Sequence, residues 1–135
     1  MDVTWRALMT DDIPAWVTLL AAAEAVDHTG EHFDDDDLLE ELNDPATASR
    51  DRIGAWSGNE LVAYAAVRPR ANPTDYLRIH AEGTTHPQWR GRGLGGQLVS
   101  WVRGRVAEIL DERGLTIDGH AEIVAFLANQ GQIDL

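Results

Sequence analysis

The chain has 135 residues, enough for one domain, with 44% hydrophobic and 25% charged residues and a net charge of −12. Residues 1–60 carry 15 acids against three arginines, so no basic surface for nucleic acid is predicted. No segment approaches the roughly 20 apolar residues of a membrane span, and no secretion signal is recognisable, so we expect a cytoplasmic protein. The absence of cysteine and lysine excludes thiolate metal sites, Schiff-base chemistry and a P-loop lysine.

The N-terminal half predicts a strand, two helices and a β-hairpin. Thr10, followed by two acids, is the expected N-cap of the first helix. Gly58-Asn59 is a two-residue turn signal between two strand patterns, although Asn-Gly is the commoner order. The predicted elements are a strand at Val3–Met9, helices at Thr10–Val26 and Asp36–Asp44, and strands at Arg52–Gly58 and Glu60–Pro69.

The C-terminal half predicts a strand, a long amphipathic helix and a second strand. Gly114 is suited to the left-handed residue that ends a helix. The run AEIVAFLA is typical of a strand that is buried on both faces. The predicted elements are a strand at Tyr76–Pro87, a helix at Leu94–Arg113, a strand at Ala121–Ala128 and the beginning of a helix at Asn129. This order predicts a single α/β domain over residues 1–135.

The segment Gln88–Val102, QWRGRGLGGQLVSWV, leads into the long helix with four glycines and two arginines. A helix N-terminus presents unpaired amides and a partial positive charge, which suits an anion. Arg90 and Arg92 add positive charge there. The glycines leave the amides uncovered and stand at Gly91, Gly93, Gly95 and Gly96. The segment therefore predicts a site for the phosphates of a ligand.

Two other interpretations of this segment stay open. It can be a mobile glycine turn with solvated arginines. Gly91, Gly93 and Gly96 also satisfy the G-x-G-x-x-G pattern of dinucleotide-binding folds. That fold needs a second strand that ends in an acid about 20 residues later, whereas Asp111 lies near the end of the predicted helix.

The core of the segment, Arg90-Gly91-Arg92-Gly93-Leu94-Gly95, resembles the signature Gln/Arg-x-x-Gly-x-Gly/Ala of the GNAT superfamily of acyl-CoA N-acyltransferases. The preceding EGTTHPQW resembles the family's fourth strand, and the element order agrees from Val3 to Leu135. The resemblance implies a mostly antiparallel sheet with helices on both faces. It also implies an N-acetyltransferase that moves an acetyl group from acetyl-CoA to a primary amine of a small molecule or peptide.

The family holds the pantetheine arm of the donor between a fourth and a fifth strand that splay apart. By resemblance, Gly83, Thr84 and Thr85 would contact that arm through their backbone. Asn129 would lie beside the donor, with an ordinary N-cap as the equal alternative. The phosphates would lie on the segment at Arg90, Gly91, Arg92, Gly93, Leu94, Gly95 and Gly96.

Glu82 is the expected general base, because the family often places a carboxylate on its fourth strand. A solvent-facing strand residue is the alternative. His80 lies two residues earlier and on the same face, and His86 is a third candidate. The family's usual acid is a tyrosine in the helix after the fifth strand, and neither Tyr64 nor Tyr76 matches that position.

The polar connection between the first two helices would border the acceptor site, and its acids would favour a cationic amine. His28 and His32 beside these acids could suggest a metal, but Gly30 interrupts the helix that their spacing needs. The acids are better explained as the start of the second helix, so no metal is predicted.

By resemblance, a complete domain continues through a helix after Ala121–Ala128 and two further strands. We therefore expect a C-terminally incomplete domain whose fifth strand has an exposed edge. Such an edge favours self-association or pairing with a missing C-terminal segment, and the isolated chain is expected to be a weak catalyst. The alternative function is a non-catalytic acyl-CoA-binding or structural half of a tandem-GNAT protein.

Overall fold

The computed structural model describes residues 3–30, 32–45, 47–71, 77–114, 121–127 and 131–132. In these residues, the strands are β1 (Thr4–Arg6), β2 (Arg52–Ser57), β3 (Glu60–Ala71), β4 (Leu77–Thr85), β5 (Ala121–Leu127) and β6 (Gly131–Gln132). The helices are α1 (Ile13–Asp27), α2 (Asp35–Leu42) and α3 (Leu94–Glu112). Short 3₁₀ turns lie at Thr10–Asp12, Ser49–Asp51 and Pro87–Trp89.

The strands form one sheet in the order β1-β2-β3-β4-β5-β6. Neighbouring strands are antiparallel except β4 and β5, which run parallel. Ser57 pairs with Glu60 across the turn Gly58-Asn59, where Gly58 has a φ of 60° that glycine adopts without a Cβ clash. The predicted hairpin and the mostly antiparallel sheet are therefore confirmed.

Helices cover both faces of the sheet because the side chains of β3 alternate between the faces. Ala63, Ala65 and Val67 pack in the cluster formed with α3. Tyr64 and Ala66 pack in the opposite cluster, formed with α1 and α2. None of the helices in the described ranges is long and apolar enough to cross a membrane.

The first helix begins later than predicted. Thr10 opens a 3₁₀ turn, and α1 begins only at Ile13. Asp12 accepts hydrogen bonds from the Met9 amide at 2.8 Å and from the Arg6 guanidinium at 2.7 Å. The bond from Arg6 holds the pKa of Asp12 below its usual value, although desolvation acts in the opposite direction. The N-cap role predicted for Thr10 is therefore wrong, because the turn is fixed by Asp12.

The fifth strand pairs more fully than predicted. Pairing of β4 with β5 continues from Leu77 opposite Ala121 to Gly83 opposite Leu127. The predicted splay is therefore wrong along this stretch, because the ladder satisfies the backbone groups on the facing edges of both strands.

The residues after β5 also differ from the predicted helix. Gly131 and Gln132 pair antiparallel with Leu127 and Phe126 and form β6. For these two residues the helix prediction is wrong, since their backbone groups bond to a neighbouring strand. Asn129, where the helix was predicted to begin, lies outside the described residues.

A buried ion pair fixes α3 against the turn before β2. Arg105 Nε donates to Asp51 Oδ1 at 2.8 Å, and both side chains are 5% exposed. Arg105 also donates to Glu112 at 3.3 Å. The pair holds the C-terminal half of α3, whose other end carries the glycine segment.

Arg105→Met should destabilise the fold, because Asp51 would stay buried without its counter-ion. We expect a loss of about 3 kcal/mol in the free energy of unfolding, measured by urea denaturation. Arg103→Met is the matched control on the exposed face of the same helix, with an expected change within about 0.5 kcal/mol. Equal losses in the two variants would contradict the role of the pair.

Candidate active site

The predicted glycine segment connects β4 to α3. After Thr85, the 3₁₀ turn Pro87–Trp89 redirects the chain, and α3 begins at Leu94 with Gly93 as its N-cap. Gly91 and Gly93 have φ values of 79° and 91°, in the left-handed region that favours glycine. Because Gly93 has no side chain to cap the first turn, the amides of that turn keep their hydrogen-bonding capacity.

Open space lies in front of this helix N-terminus. A Cβ atom at Gly91, Gly93 or Gly96 would meet no heavy atom within 4 Å. Gly95 is half-buried. The side chain of Leu94 is only 1% exposed and packs in the core under α3, so only its backbone is available to a ligand.

The two arginines of the segment have different environments. Arg90 forms a bidentate ion pair with Asp27, the last residue of α1, at 2.7 and 2.8 Å. The Nε atom of Arg90 also donates to the Thr85 carbonyl at 3.0 Å. Its side chain is 18% exposed and that of Asp27 15%. Arg92 is exposed, and its guanidinium lies 4.7 Å from the centre of the Trp89 ring. Arg92 is therefore the arginine that can reach a ligand at the surface.

The last residues of β4 are buried beside the segment. Gly83 faces Leu127 in the last described pair with β5, so Thr84 and Thr85 continue past the described end of that strand. Both threonines are 4% exposed. Within the described part of the chain, the buried Oγ1 atom of Thr84 has no hydrogen-bond partner, a costly state that a polar group of a ligand would relieve.

A cavity of about 420 Å³ lies between α1, the connection that follows it, and strands β3 and β4. Tyr64 pairs with Thr84, and Arg68 pairs with His80, so these side chains share the face covered by α1. The cavity is lined by Leu20, Ala23, Glu24, Asp27, Thr29, Phe33, Tyr64, Arg68, His80, Ala81, Glu82, Gly83 and Thr84. It therefore reaches the end of β4 that precedes the glycine segment.

Glu82 and His80, the two residues predicted to be catalytic, both line this cavity. The Glu82 carboxylate contacts the guanidinium of Arg68, which also contacts Glu41 of α2. The side chain of Glu82 is 38% exposed, against 19% for Arg68 and 18% for Glu41. Two carboxylates thus share one guanidinium, of which Glu82 lines the cavity with Arg68 and Glu41 does not.

The other carboxylates of the described cavity wall are bound within the chain. Glu24 accepts hydrogen bonds from the Thr29 hydroxyl at 2.8 Å and from the Gly30 amide at 2.9 Å. Desolvation raises the pKa of Glu24, but the hydrogen bonds from Thr29 and Gly30 outweigh it and hold the pKa below its usual value. Asp27 is paired with Arg90. A cationic ligand therefore meets fewer open carboxylates than the acid content suggests.

The two alternative site types do not match the geometry. The dinucleotide interpretation is wrong, because that fold has a mostly parallel sheet, whereas β4–β5 is the one parallel pair among the described strands. Asp111 also lies inside α3 and not at the end of a strand. His28 has a φ of 52° and ends α1, so it does not share a helix with His32. Across the described part of the chain, no group of three or more His, Asp or Glu side chains is arranged to hold a metal ion.

The cavity wall includes residues that were not predicted individually, among them Asp27, Tyr64 and Arg68, since none belongs to a motif. Phe33 lies in the connection between α1 and α2, which was expected to border the acceptor site. The alternation of β3 was the available signal, since it puts Tyr64 and Arg68 on one face. His86 lies outside the cavity, 3.9 Å from Glu60 beside the hairpin turn, and Asn129 is not among the described residues.

Asp27→Asn should loosen α1 from the segment, because the charge of Arg90 loses its counter-ion. With both side chains less than one-fifth exposed, we expect a loss of about 2 kcal/mol in the free energy of urea unfolding. Asp36→Asn, at an exposed position of α2, should cost about 0.5 kcal/mol or less. A double-mutant cycle with Arg90→Gln that gave no coupling energy would contradict the pair.

Comparison with known proteins agrees with this geometry. The sequence profile described as the acetyltransferase (GNAT) family matches residues 7–126. No functionally curated protein matches the sequence significantly.

Three solved structures illustrate the similarity in fold. A GCN5-related N-acetyltransferase from Sphaerobacter thermophilus superposes with a TM-score of 0.73 at 23% identity, over 91% of this chain and 37% of its own. A predicted acetyltransferase from Clostridium acetobutylicum, solved with acetyl-CoA, has a TM-score of 0.67 at 19% identity, over 96% of this chain and 84% of its own. Arabidopsis thaliana Naa50, in complex with the bisubstrate analogue CoA-Ac-MVNAL, has a TM-score of 0.60 at 14% identity, over 93% and 72%.

These identities establish similarity of fold, and this chain spans 37% of the length of the Sphaerobacter structure. The family profile, in contrast, covers nearly the whole sequence and includes β4, the glycine segment and α3. This chain therefore belongs to the GNAT acetyltransferase family.

Proposed function

We propose that this chain binds acetyl-CoA at the N-terminus of α3 and transfers the acetyl group to a primary amine in the cavity beside β4. The observation that carries the proposal is the helix N-terminus at Gly93, which has no side-chain cap and follows the strand whose Thr84 lines the cavity. Thr84 Oγ1 has no hydrogen-bond partner among the described residues. The family supports acetyl-CoA as the donor, since its Clostridium and Arabidopsis members were solved with acetyl-CoA and a CoA-based analogue.

The residues of the segment fit the phosphates of such a donor. The first amides of α3 and the open space at Gly91, Gly93 and Gly96 suit a group with several anionic oxygens. Arg92 supplies an exposed guanidinium that lies over the Trp89 ring, whereas Arg90 is paired with Asp27 and so positions the segment.

The end of β4 fits the amide groups of the pantetheine arm. Among the described residues, the buried Thr84 hydroxyl has no hydrogen-bond partner. We propose that Thr84 and Thr85 contact the arm. The contacts implied for Gly83, which pairs with Leu127 of β5, and for Asn129 stay predictions.

We propose that Glu82 is the general base that takes a proton from the acceptor amine. When bound, acetyl-CoA supplies an activated thioester, and the amine must lose a proton before it can attack. The Glu82 carboxylate lines the cavity and is the most exposed member of the group with Arg68 and Glu41. Arg68 holds Glu82 in place from one side, which leaves its other side for an ammonium group. His80, on the same face of β4, is the second candidate.

Binding without turnover is the alternative function, in which the chain is one half of a larger tandem-GNAT protein. This alternative is supported by the Sphaerobacter structure, of whose length this chain spans 37%. Both functions require CoA binding, but only the acetyltransferase releases free thiol when amines are added. A cytoplasmic location also stays a prediction.

Gly93→Glu should abolish most of the donor binding. A glutamate at this N-cap brings a negative charge to the phosphates and strains a backbone with a φ of 91°. We expect the affinity for acetyl-CoA, measured by isothermal titration calorimetry, to fall about 100-fold or more.

Two variants control this measurement. Gly104→Glu adds the same charge to an exposed position of α3, where a Cβ meets no atom within 4 Å, and should leave the affinity unchanged. Gly93→Asn keeps a residue that tolerates the left-handed conformation and should cost about tenfold or less. Unchanged affinity in Gly93→Glu would refute the donor site.

We also propose that the chain self-associates, or pairs with a further C-terminal segment, through the outer edge of β5. Among the described residues, β6 pairs with β5 only at Phe126 and Leu127, so the strand's outer edge is covered at one end. Unpaired strand edges favour pairing with another chain. Sedimentation velocity should detect dimers or larger species, and a monomer at high concentration would count against this proposal.

A further inference from the structure

The acceptor cavity offers one open carboxylate among its described wall residues. Glu24 is bound by Thr29 and Gly30, and the two oxygens of Asp27 are bound by Arg90. Glu82 shares Arg68 with Glu41, and 38% of its side chain is exposed. A ligand's ammonium group therefore finds a carboxylate with free capacity at Glu82.

The rest of the wall near α1 is mostly apolar. Leu20 and Ala23 lie on α1, Tyr64 lies on β3, and Phe33 follows in the connection before α2. Phe33 is 41% exposed although it lines the cavity, whereas Tyr64 is 6% exposed and packs against Trp16 with ring centres 5.3 Å apart. A ligand with an apolar group would cover the exposed part of the Phe33 ring, which is favourable in water.

We infer that the acceptor is a small primary monoamine that carries one apolar or aromatic group, an inference that rests on the proposed function. Its ammonium group lies at Glu82, and its apolar group lies against Phe33, Leu20 and Ala23. The cavity volume of about 420 Å³ is within the range of small-molecule sites.

A polyamine or an aminoglycoside fits these walls less well. Each additional ammonium group loses its hydration in the cavity and needs an anionic partner in return. The oxygens of Glu24 already accept from Thr29 and Gly30, and those of Asp27 accept from Arg90, so a second ammonium group would compete with the bonds that hold the Thr29–Gly30 turn and the glycine segment. The walls therefore select against a second charge more strongly than the acidity of the chain would suggest.

Binding of model amines in the presence of CoA tests the inference. The probes are 2-phenylethylamine as the apolar monoamine, spermidine as the polyamine, and a short peptide with a free N-terminus. We expect 2-phenylethylamine to bind at least about tenfold more tightly than spermidine by ligand-observed NMR titration. In thiol-release assays it should have the highest kcat/KM of the three.

Phe33→Ala tests the contact between Phe33 and the apolar group of the amine, separately from the contact between Glu82 and the ammonium group. The KM for 2-phenylethylamine should rise about tenfold, because the exposed ring no longer covers the apolar group. The KM for ethanolamine, which has no such group, should stay within about twofold. Val26→Ala is the matched control, since Val26 is an exposed apolar residue of α1 that does not line the cavity.

Glu82→Gln tests the position of the ammonium group through binding alone. The affinity for 2-phenylethylamine should fall about tenfold, whereas that of the neutral isostere 2-phenylethanol should not change. Thermal unfolding of both variants checks that the fold is retained.

The possible outcomes separate this inference from the proposed function. If CoA does not bind, the proposed function fails and the inference fails with it. If CoA binds but spermidine or the peptide is preferred, the inference is overturned and the proposed function stands. Equal loss of 2-phenylethylamine and 2-phenylethanol in Glu82→Gln would also overturn it.

Discussion

The ion pair between Asp27 and Arg90 joins the parts of the molecule on which the site depends. Asp27 ends α1 and lines the acceptor cavity. Arg90 lies in the glycine segment and also donates a hydrogen bond to the Thr85 carbonyl of β4. A carboxylate and a guanidinium that meet through two bonds fix each other's orientation as well as their distance. The cavity wall and the helix N-terminus are therefore held in one arrangement by contacts between three separate elements.

The carboxylates of the described cavity wall are bound, wholly or in part, by donors of the same chain. The net charge of −12 suggests a strongly acidic site. In the described cavity wall, however, Glu24 is bound by backbone and hydroxyl donors, Asp27 by Arg90, and Glu82 in part by Arg68. Selectivity for a ligand then depends on which carboxylate has acceptor sites left, since each hydrogen bond that a carboxylate already accepts leaves fewer sites for the ammonium group of a ligand.

The sequence predicted those elements whose signals are contained in neighbouring residues. The hairpin at Gly58-Asn59 and helix α3 depend on local turn chemistry and on apolar periodicity, and both were found. The cap at Thr10 was wrong because Asp12 is also bonded to Arg6 of another element. The splay beside Gly83 was wrong because strand pairing is a property of two distant segments, for which neither segment alone carries a signal.

By itself, the sequence determined an uncovered helix N-terminus, because glycine at Gly91 and Gly93 and the polarity of a helix are properties of consecutive residues. Its resemblance to the GNAT signature implied the fold. It also named Glu82 and His80, which share one face of β4 through simple alternation. Only the tertiary structure decided that Arg90 positions the segment while Arg92 stays at the surface. The physical reason is that the partner of Arg90 lies 63 residues away, and charge pairing at that separation is set by how the elements pack.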